Sequence, residues 1–200
     1  PFIANRGQAA DHLKFYAPTF AGTVFVTATG QLVYALPVRN GGRPTRAVKL
    51  TEELVDGTVR EVTGEGEART AVHVFRGNDA SKWRSNLPAY ETVSLGDVYP
   101  GIAVKLQASG KTVEKVFYVA PEADPARIRI KLAGGDGVTV TEQGDLQVTT
   151  AMGAVTFTKP VAYQEVAGKK HSIDVRYAVE GDTYGFRLGA YDRSKPLVID

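Results

Sequence analysis

The feature that most restricts this chain is an apolar–polar alternation of period two that recurs along almost its whole length. It runs through TVFVTA, QLVYAL, GIAVKLQA, TVEKVFYV, RIRIKL, GVTVT, DLQVTT, AVTFT, SIDVRYAV and YGFRLGAY. Successive side chains of an extended strand point to opposite faces, so each segment offers one face to a core and one to water. Gly, Asn, Asp and Pro bound these segments. The chain holds 21 Gly and 10 Pro, residues that supply the positive or fixed φ of tight turns. Helical periodicity is scarce: TEELV at residues 51–55 and one turn around DASKW are the best candidates. The expected fold is all-β and β-sandwich-like or an open barrel, with very little helix.

A weak internal repeat overlays this pattern. VFVTATGQLVY (residues 24–34) aligns with VTVTEQGDLQV (residues 138–148) as V-x-V-T-x-x-G-x-L-x-apolar. Val24, Val26 and Leu32 fall in register with Val138, Val140 and Leu146, and Gly30 and Gly144 sit where a short hairpin needs a left-handed residue. An alternating strand precedes each copy, LKFYA before the first and RIRIKLA before the second. Either two packed antiparallel β-units share a construction, or hairpins converge on one turn chemistry. A boundary near VAPEADPAR serves both versions, because Pro121 and Pro125 interrupt sheet pairing. It divides residues 1–122 from 123–200, as two units or as one continuous domain.

Two hundred residues suffice to bury about 70% of the unfolded surface. With 24 cationic and 22 anionic residues interspersed and a net charge of +2, there is no sustained basic patch, which argues against nucleic acid as a partner. No apolar run reaches the length of a membrane-spanning helix. The absence of Cys removes disulfides, thiolate catalysis and Cys-based zinc sites. The start at Pro1 without Met reads as a processed product.

The richest stretch in polar and aromatic groups is HVFRGNDASKWRSNLPAYETVSLGDVYPGI, residues 73–102. Asn78 or Asp79 can cap a short helical turn, and Trp83 then falls where its indole can cover a sheet end. Pro88 and Pro100 mark turns. A lone Trp more often closes a core, so the expected role is structural. The competing reading makes Trp83, Tyr90 and Tyr99 a stacking platform for a sugar, oriented by Asn78, Asp79 and Arg84.

Other motifs carry less. SGKT at residues 109–112 lacks the first Gly of a phosphate-binding loop, whose position is Lys105, and strand-like sequence lies on both sides; it reads as a hairpin turn. His12, His73 and His171 have no metal spacing, and no nucleophile elbow is present. No catalytic residue is assigned. Glu91, Asp97 and Glu114 are available as paired carboxylates, a chemistry that depends on their separation. No cofactor is expected; the acidic turns GGDG and EQGD leave a structural calcium ion open, although the twelve-residue loop is missing.

PFIANRGQ, FRGNDASKW, YPGI, VAPEADPARIRI, PVAYQEVAG and YGFRLGAYDRSKPLVID occur in this order. As a set they resemble the N-terminal domain of bacterial proteins carrying SBBP repeats, which are β-propeller-like. The resemblance covers nearly the whole chain. It implies an exported or cell-surface bacterial protein in which propeller repeats follow this domain, LVID lying at the junction. It brings no catalytic residue.

Three functions follow as expectations. The first is a non-catalytic extracytoplasmic module, a structural cap or protein-interaction domain for the following repeats or a cell-surface protein; it expects a buried Trp83 and no cleft with convergent ionisable groups. The second is glycan binding through Trp83 and the tyrosines, which a grooved aromatic cluster would favour. The third is a hydrolase with two acids facing across a concave, partly apolar pocket.

Overall fold

The computed structural model describes residues 1–40, 43–69, 72–74, 83–109, 112–151 and 153–200, with backbone alone between 38 and 46. Most strands, numbered in chain order, join one antiparallel sheet. On one flank β1 (Phe2–Ala4), β2 (Leu13–Pro18), β3 (Thr23–Thr27), β4 (Leu32–Asn40) and β5 (Arg43–Leu54) follow one another. Beyond β5 come β12 (Ile130–Ala133), β19 (Thr183–Leu188) and β18 (Val175–Glu180). On the other flank β1 meets β9 (Ala89–Tyr99), then β10 (Ile102–Ala108), β11 (Val113–Val119), β20 (Leu197–Ile199), β16 (Ala162–Val166) and β17 (Lys169–Ile173). β6 (Thr63–Glu67) also pairs with β9. Apart from this sheet stand a pair, β7 (Val72–Val74) with β8 (Arg84–Leu87), and a three-stranded sheet of β13 (Gly137–Val140), β14 (Leu146–Thr150) and β15 (Gly153–Phe157).

The all-β expectation holds, and the large sheet nearly closes on itself. Its two edge strands, β17 and β18, are consecutive in the chain and separated by Asp174 alone. The chain turns a corner there, pinned by the Gly189 N–H donating to the Asp174 carbonyl at 2.8 Å. A strand that bends to serve two layers is how orthogonal β packings make their corners. Strands far apart in the sheet order then face each other: the rings of Phe117 on β11 and Phe186 on β19 meet edge to face at 5.6 Å.

Strands from both sides of residue 122 interleave. β5 pairs with β12 and β11 with β20. One buried cluster takes in Val26, Leu50, Leu106 and Phe117 together with Ile130, Leu146, Tyr184 and Ile199. The connection at VAPEADPAR contains a single 3-10 turn, Pro125–Arg127, capped by the Asp124 side chain.

TEELV is not a helix; it is the end of β5 and the residue after it. Glu and Leu favour helices locally, but Thr51, Glu52, Glu53 and Leu54 pair with β12 on one side, and Thr51 and Glu52 with β4 on the other. Tertiary pairing overrides the local preference. Of DASKW, residues 79–82 lie outside the described residues. SGKT connects β10 to β11, with Ser109 and Thr112 exchanging backbone hydrogen bonds of 3.0 and 3.2 Å.

Both copies of the repeat form the same turn. The Thr27 N–H donates to the Gln31 carbonyl at 2.9 Å, and the Thr141 N–H to the Asp145 carbonyl at 2.9 Å. Gly30 and Gly144 donate back to those threonines at 3.1 and 3.0 Å. Each Thr Oγ1 accepts from the N–H four residues on, at 3.0 and 3.2 Å. Both glycines have positive φ, 81° and 91°, which a side chain would strain. The likeness ends there: β2 pairs with β3 before the first copy, whereas β12 pairs with β5 and β19 rather than β13.

Candidate functional site

The strand alternation places two charged residues on inward faces. On β5, Glu52 shares its phase with Leu50 and is only 1% exposed. On β11, Lys115 shares its phase with Val113 and Phe117. Across the core the Lys115 Nζ donates to Glu52 Oε2 at 2.8 Å. The Tyr34 hydroxyl donates to the same oxygen at 2.6 Å, and the Tyr184 hydroxyl donates to Oε1. A buried carboxylate without partners would cost several kcal/mol, roughly the desolvation penalty of one ion. Here three donors, one of them charged, satisfy it. No buried side-chain nitrogen or oxygen among the described residues lacks a partner. Burial, followed by the adjacent Glu52 charge, pushes the phenols of Tyr34 and Tyr184 well above their usual range. Ionising either would put a second negative charge beside a carboxylate in a dry core.

Beside this cluster opens a cavity of 470 Å³. Phe157 at the end of β15, Tyr177 on β18, Phe186 on β19 and the Lys115 stem wall it, with Glu114 and Asp200 on its rim. The rings of Phe157, Tyr177 and Phe186 are only half-buried. Tyr177 stands edge-on to Tyr184 at 5.6 Å and tilted by 30° to Phe186 at 5.8 Å. Its hydroxyl donates to the Thr158 carbonyl at 2.8 Å, and burial, then the Glu52 charge, raises its pKa. Lys115 Nζ lies 5.4 Å from the centre of the Phe157 ring. Burial raises the Glu114 carboxyl, and Asp200 adds to the shift. Burial also raises Asp200, against an opposing pull from Lys115. Such a cavity can stack on a flat or apolar face and can both give and accept hydrogen bonds. A wider groove of 590 Å³ passes Thr58, Arg60, Glu61 and Asp97, but its one lining ring, Tyr99, is buried.

The stretch at residues 73–102 is arranged differently from its sequence expectation. Trp83 does not close the core: it is 43% exposed, and it precedes β8, which pairs with β7 rather than joining the large sheet. Arg84 donates to the Trp83 carbonyl at 3.0 Å and to the Arg6 carbonyl at 3.3 Å. Tyr90 packs edge-on against Phe15 at 5.8 Å and lies over Gly64, where a Cβ would come within 2.4 Å of its ring. Tyr99 is buried, and its hydroxyl donates to the Arg129 carbonyl at 3.1 Å. Asn78 and Asp79 lie outside the described residues. A separate group of partly exposed rings, Phe157, Tyr177 and Phe186, lines the cavity. A cleft with convergent ionisable groups therefore exists where the structural reading expected none.

Of the carboxylates singled out by sequence, Glu114 reaches this cavity, while Glu91 and Asp97 are exposed elsewhere. The sequence reading missed Glu52, Lys115, Phe157, Tyr177 and Phe186. A usable signal existed for the first two: a charge at an inward position of an alternating strand. Among the described residues no group of three or more His, Asp and Glu side chains is placed to hold a metal ion, and no helix is long and apolar enough to cross a membrane.

The outer face of the same sheet carries a second feature. Ala103, Tyr118, Val198 and Tyr163 lie side by side in register across β10, β11, β20 and β16. Tyr118 is 38% exposed, and Lys170 Nζ sits 4.2 Å from the centre of the Tyr163 ring. An apolar row on a water-facing side departs from the polar face that such a sheet usually shows.

No curated protein and no solved structure matches the chain. A family model described as a domain of unknown function, DUF7948, matches residues 2–200. That match takes in every strand that builds the Glu52 cluster, the cavity and the outer row, and by it the chain belongs to the DUF7948 family.

Proposed function

We propose that this domain is a non-catalytic, extracytoplasmic ligand-binding module of an exported bacterial protein, and that the ligand occupies the cavity between β11, β15, β18 and β19. The carrying observation is the concave cluster of half-buried rings around Lys115. Its volume of 470 Å³ falls within the roughly 300–1,000 Å³ of small-molecule sites. Binding is favoured over chemistry because the polar groups behind the cavity are fixed. Lys115 is held by Glu52, and the two phenols keep their protons, whereas acid–base catalysis needs a group that changes protonation near working pH. The test is a screen of chemically diverse polar fragments by protein-observed NMR. Shifts should converge on residues 113–117, 156–159 and 177–186, with the fragments recovered unchanged. Hits confined to other surfaces, or consumed fragments, would remove this reading.

A second reading, a cap or protein-interaction domain docking on the propeller repeats of the same polypeptide, is favoured by the outer row around Tyr118. The chain has no Cys, so Tyr118→Cys gives a single maleimide site. Joining the domain to its repeats should slow labelling by about tenfold, equivalent to ~1.4 kcal/mol of protection. An unchanged rate excludes docking on this face.

A further inference from the structure

The polar groups on the cavity's walls and rim constrain what it can hold. Two acidic residues, Glu114 and Asp200, and two basic residues, Lys115 and Lys159, contribute to the lining. A cation seeking the aromatic faces would meet the Lys115 ammonium already placed against Phe157 at 5.4 Å, with Lys159 nearby. An anion would meet the two carboxylates, whose pKa values are already raised by burial and so mark sites that tolerate added negative charge poorly. A hydrocarbon would strip water from the exposed charges of the lining without replacing its hydrogen bonds, a cost of several kcal/mol. What remains is a neutral molecule with an apolar face and a rim of hydroxyls. A pyranose ring has that form: its axial C–H groups lie on aromatic faces, and its hydroxyls both donate and accept. Tyr177 and Phe186, tilted 30° to each other at 5.8 Å, offer ring faces for stacking. The acidic residues of the lining can accept from sugar hydroxyls, and Lys115 can donate to them.

Resting on the binding reading above, we infer that the ligand class of this cavity is a neutral saccharide unit, stacked on Tyr177 and Phe186 and hydrogen-bonded by Glu114 and Asp200. The sugar site is thus separate from the Trp83 region.

The 200-residue chain is titrated by calorimetry and NMR with glucose, galactose, N-acetylglucosamine, maltose and cellobiose. Choline, glucuronate and adenosine serve as cationic, anionic and flat neutral comparators. At least one neutral sugar should bind, and more tightly than every comparator. Tyr177→Ala should weaken it about tenfold, the loss of one aromatic contact surface, while Tyr177→Phe keeps most of the affinity and Trp83→Ala leaves it unchanged. Should Tyr177→Ala fail to fold, Glu114→Gln, on the rim, should give a loss of about tenfold through a weakened charge-assisted hydrogen bond. Sugar binding that survives Tyr177→Ala and Glu114→Gln but is lost in Trp83→Ala overturns the inference, as does a comparator that binds while every sugar is silent. Fragments mapping to the cavity with all sugars silent would sink the saccharide class and leave the binding reading standing. An empty cavity in both experiments would sink both.

Discussion

The two hairpins built on T-x-x-G-x-L share their backbone turn hydrogen bonds and the bond accepted by the Thr Oγ1, and almost nothing else. The first, β3–β4, lies inside the large sheet, flanked by β2 and β5, and buries Val24, Val26 and Leu32. The second, β13–β14, belongs to a separate three-stranded sheet; it buries Leu146 and Val148 but leaves Val140 41% exposed. A turn sets the local register of its two strands. It does not say which strands will flank them, and that decides burial. The units meet where Tyr34 of β4 packs edge-on against Phe157 of β15 at 5.6 Å. The Glu52 cluster lies on one side of this contact and the cavity on the other. The candidate site is therefore a product of the junction, with the first hairpin giving a buried hydroxyl donor and β15, paired beside the second, giving a half-open ring.

The strongest way to break this picture is to cut the charge pair at the junction. Lys115→Met should leave Glu52 buried without its cation and destabilise the domain by about 3–5 kcal/mol. Urea unfolding should show a single lowered transition, because one core runs through both units. Two separate transitions would mean that the second hairpin's sheet is an independent unit and that the junction is incidental.

A smaller effect sharpens the role of burial. Val26→Ala in the first hairpin should cost about 2 kcal/mol, two methyl groups plus a residual cavity. Val140→Ala, its aligned partner, should stay within about 0.5 kcal/mol, as exposed substitutions do. Equal losses in denaturant midpoint would show that the aligned valines share a setting after all.

How far the sequence carried follows from the same contrast. Strand alternation, the paired glycines and the YPG turn are local, and the structure realises them: Pro100 and Gly101 close the β9–β10 hairpin with Gly101 at φ 72°. Helix or strand at TEELV was decided by partners from β4 and β12 that no local window contains. The site is less legible still. Glu52 receives its donors from residues 18, 63 and 132 positions away, so only the misfit of a charge on an apolar strand face could have flagged it. Trp83 misled because a single indole suggests a core, whereas it falls just before a strand that pairs outside the large sheet.

The finest test lies in the glycines themselves. Alanine at either position must adopt positive φ, costing about 1–2 kcal/mol, so the turns alone predict equal losses. Their surroundings differ. A Cβ on Gly30 would come within 2.7 Å of Val59 Cγ2, while one on Gly144 would meet nothing nearer than Lys159 Cβ at 3.5 Å. Valine has one preferred rotamer and yields poorly, so Gly30→Ala should exceed Gly144→Ala by roughly 1 kcal/mol of overpacking. Paired thermal melts measure this difference directly. Identical melting shifts would mean that the loop carrying Val59 gives way freely, and that the first hairpin owes its rigidity to its strand neighbours alone.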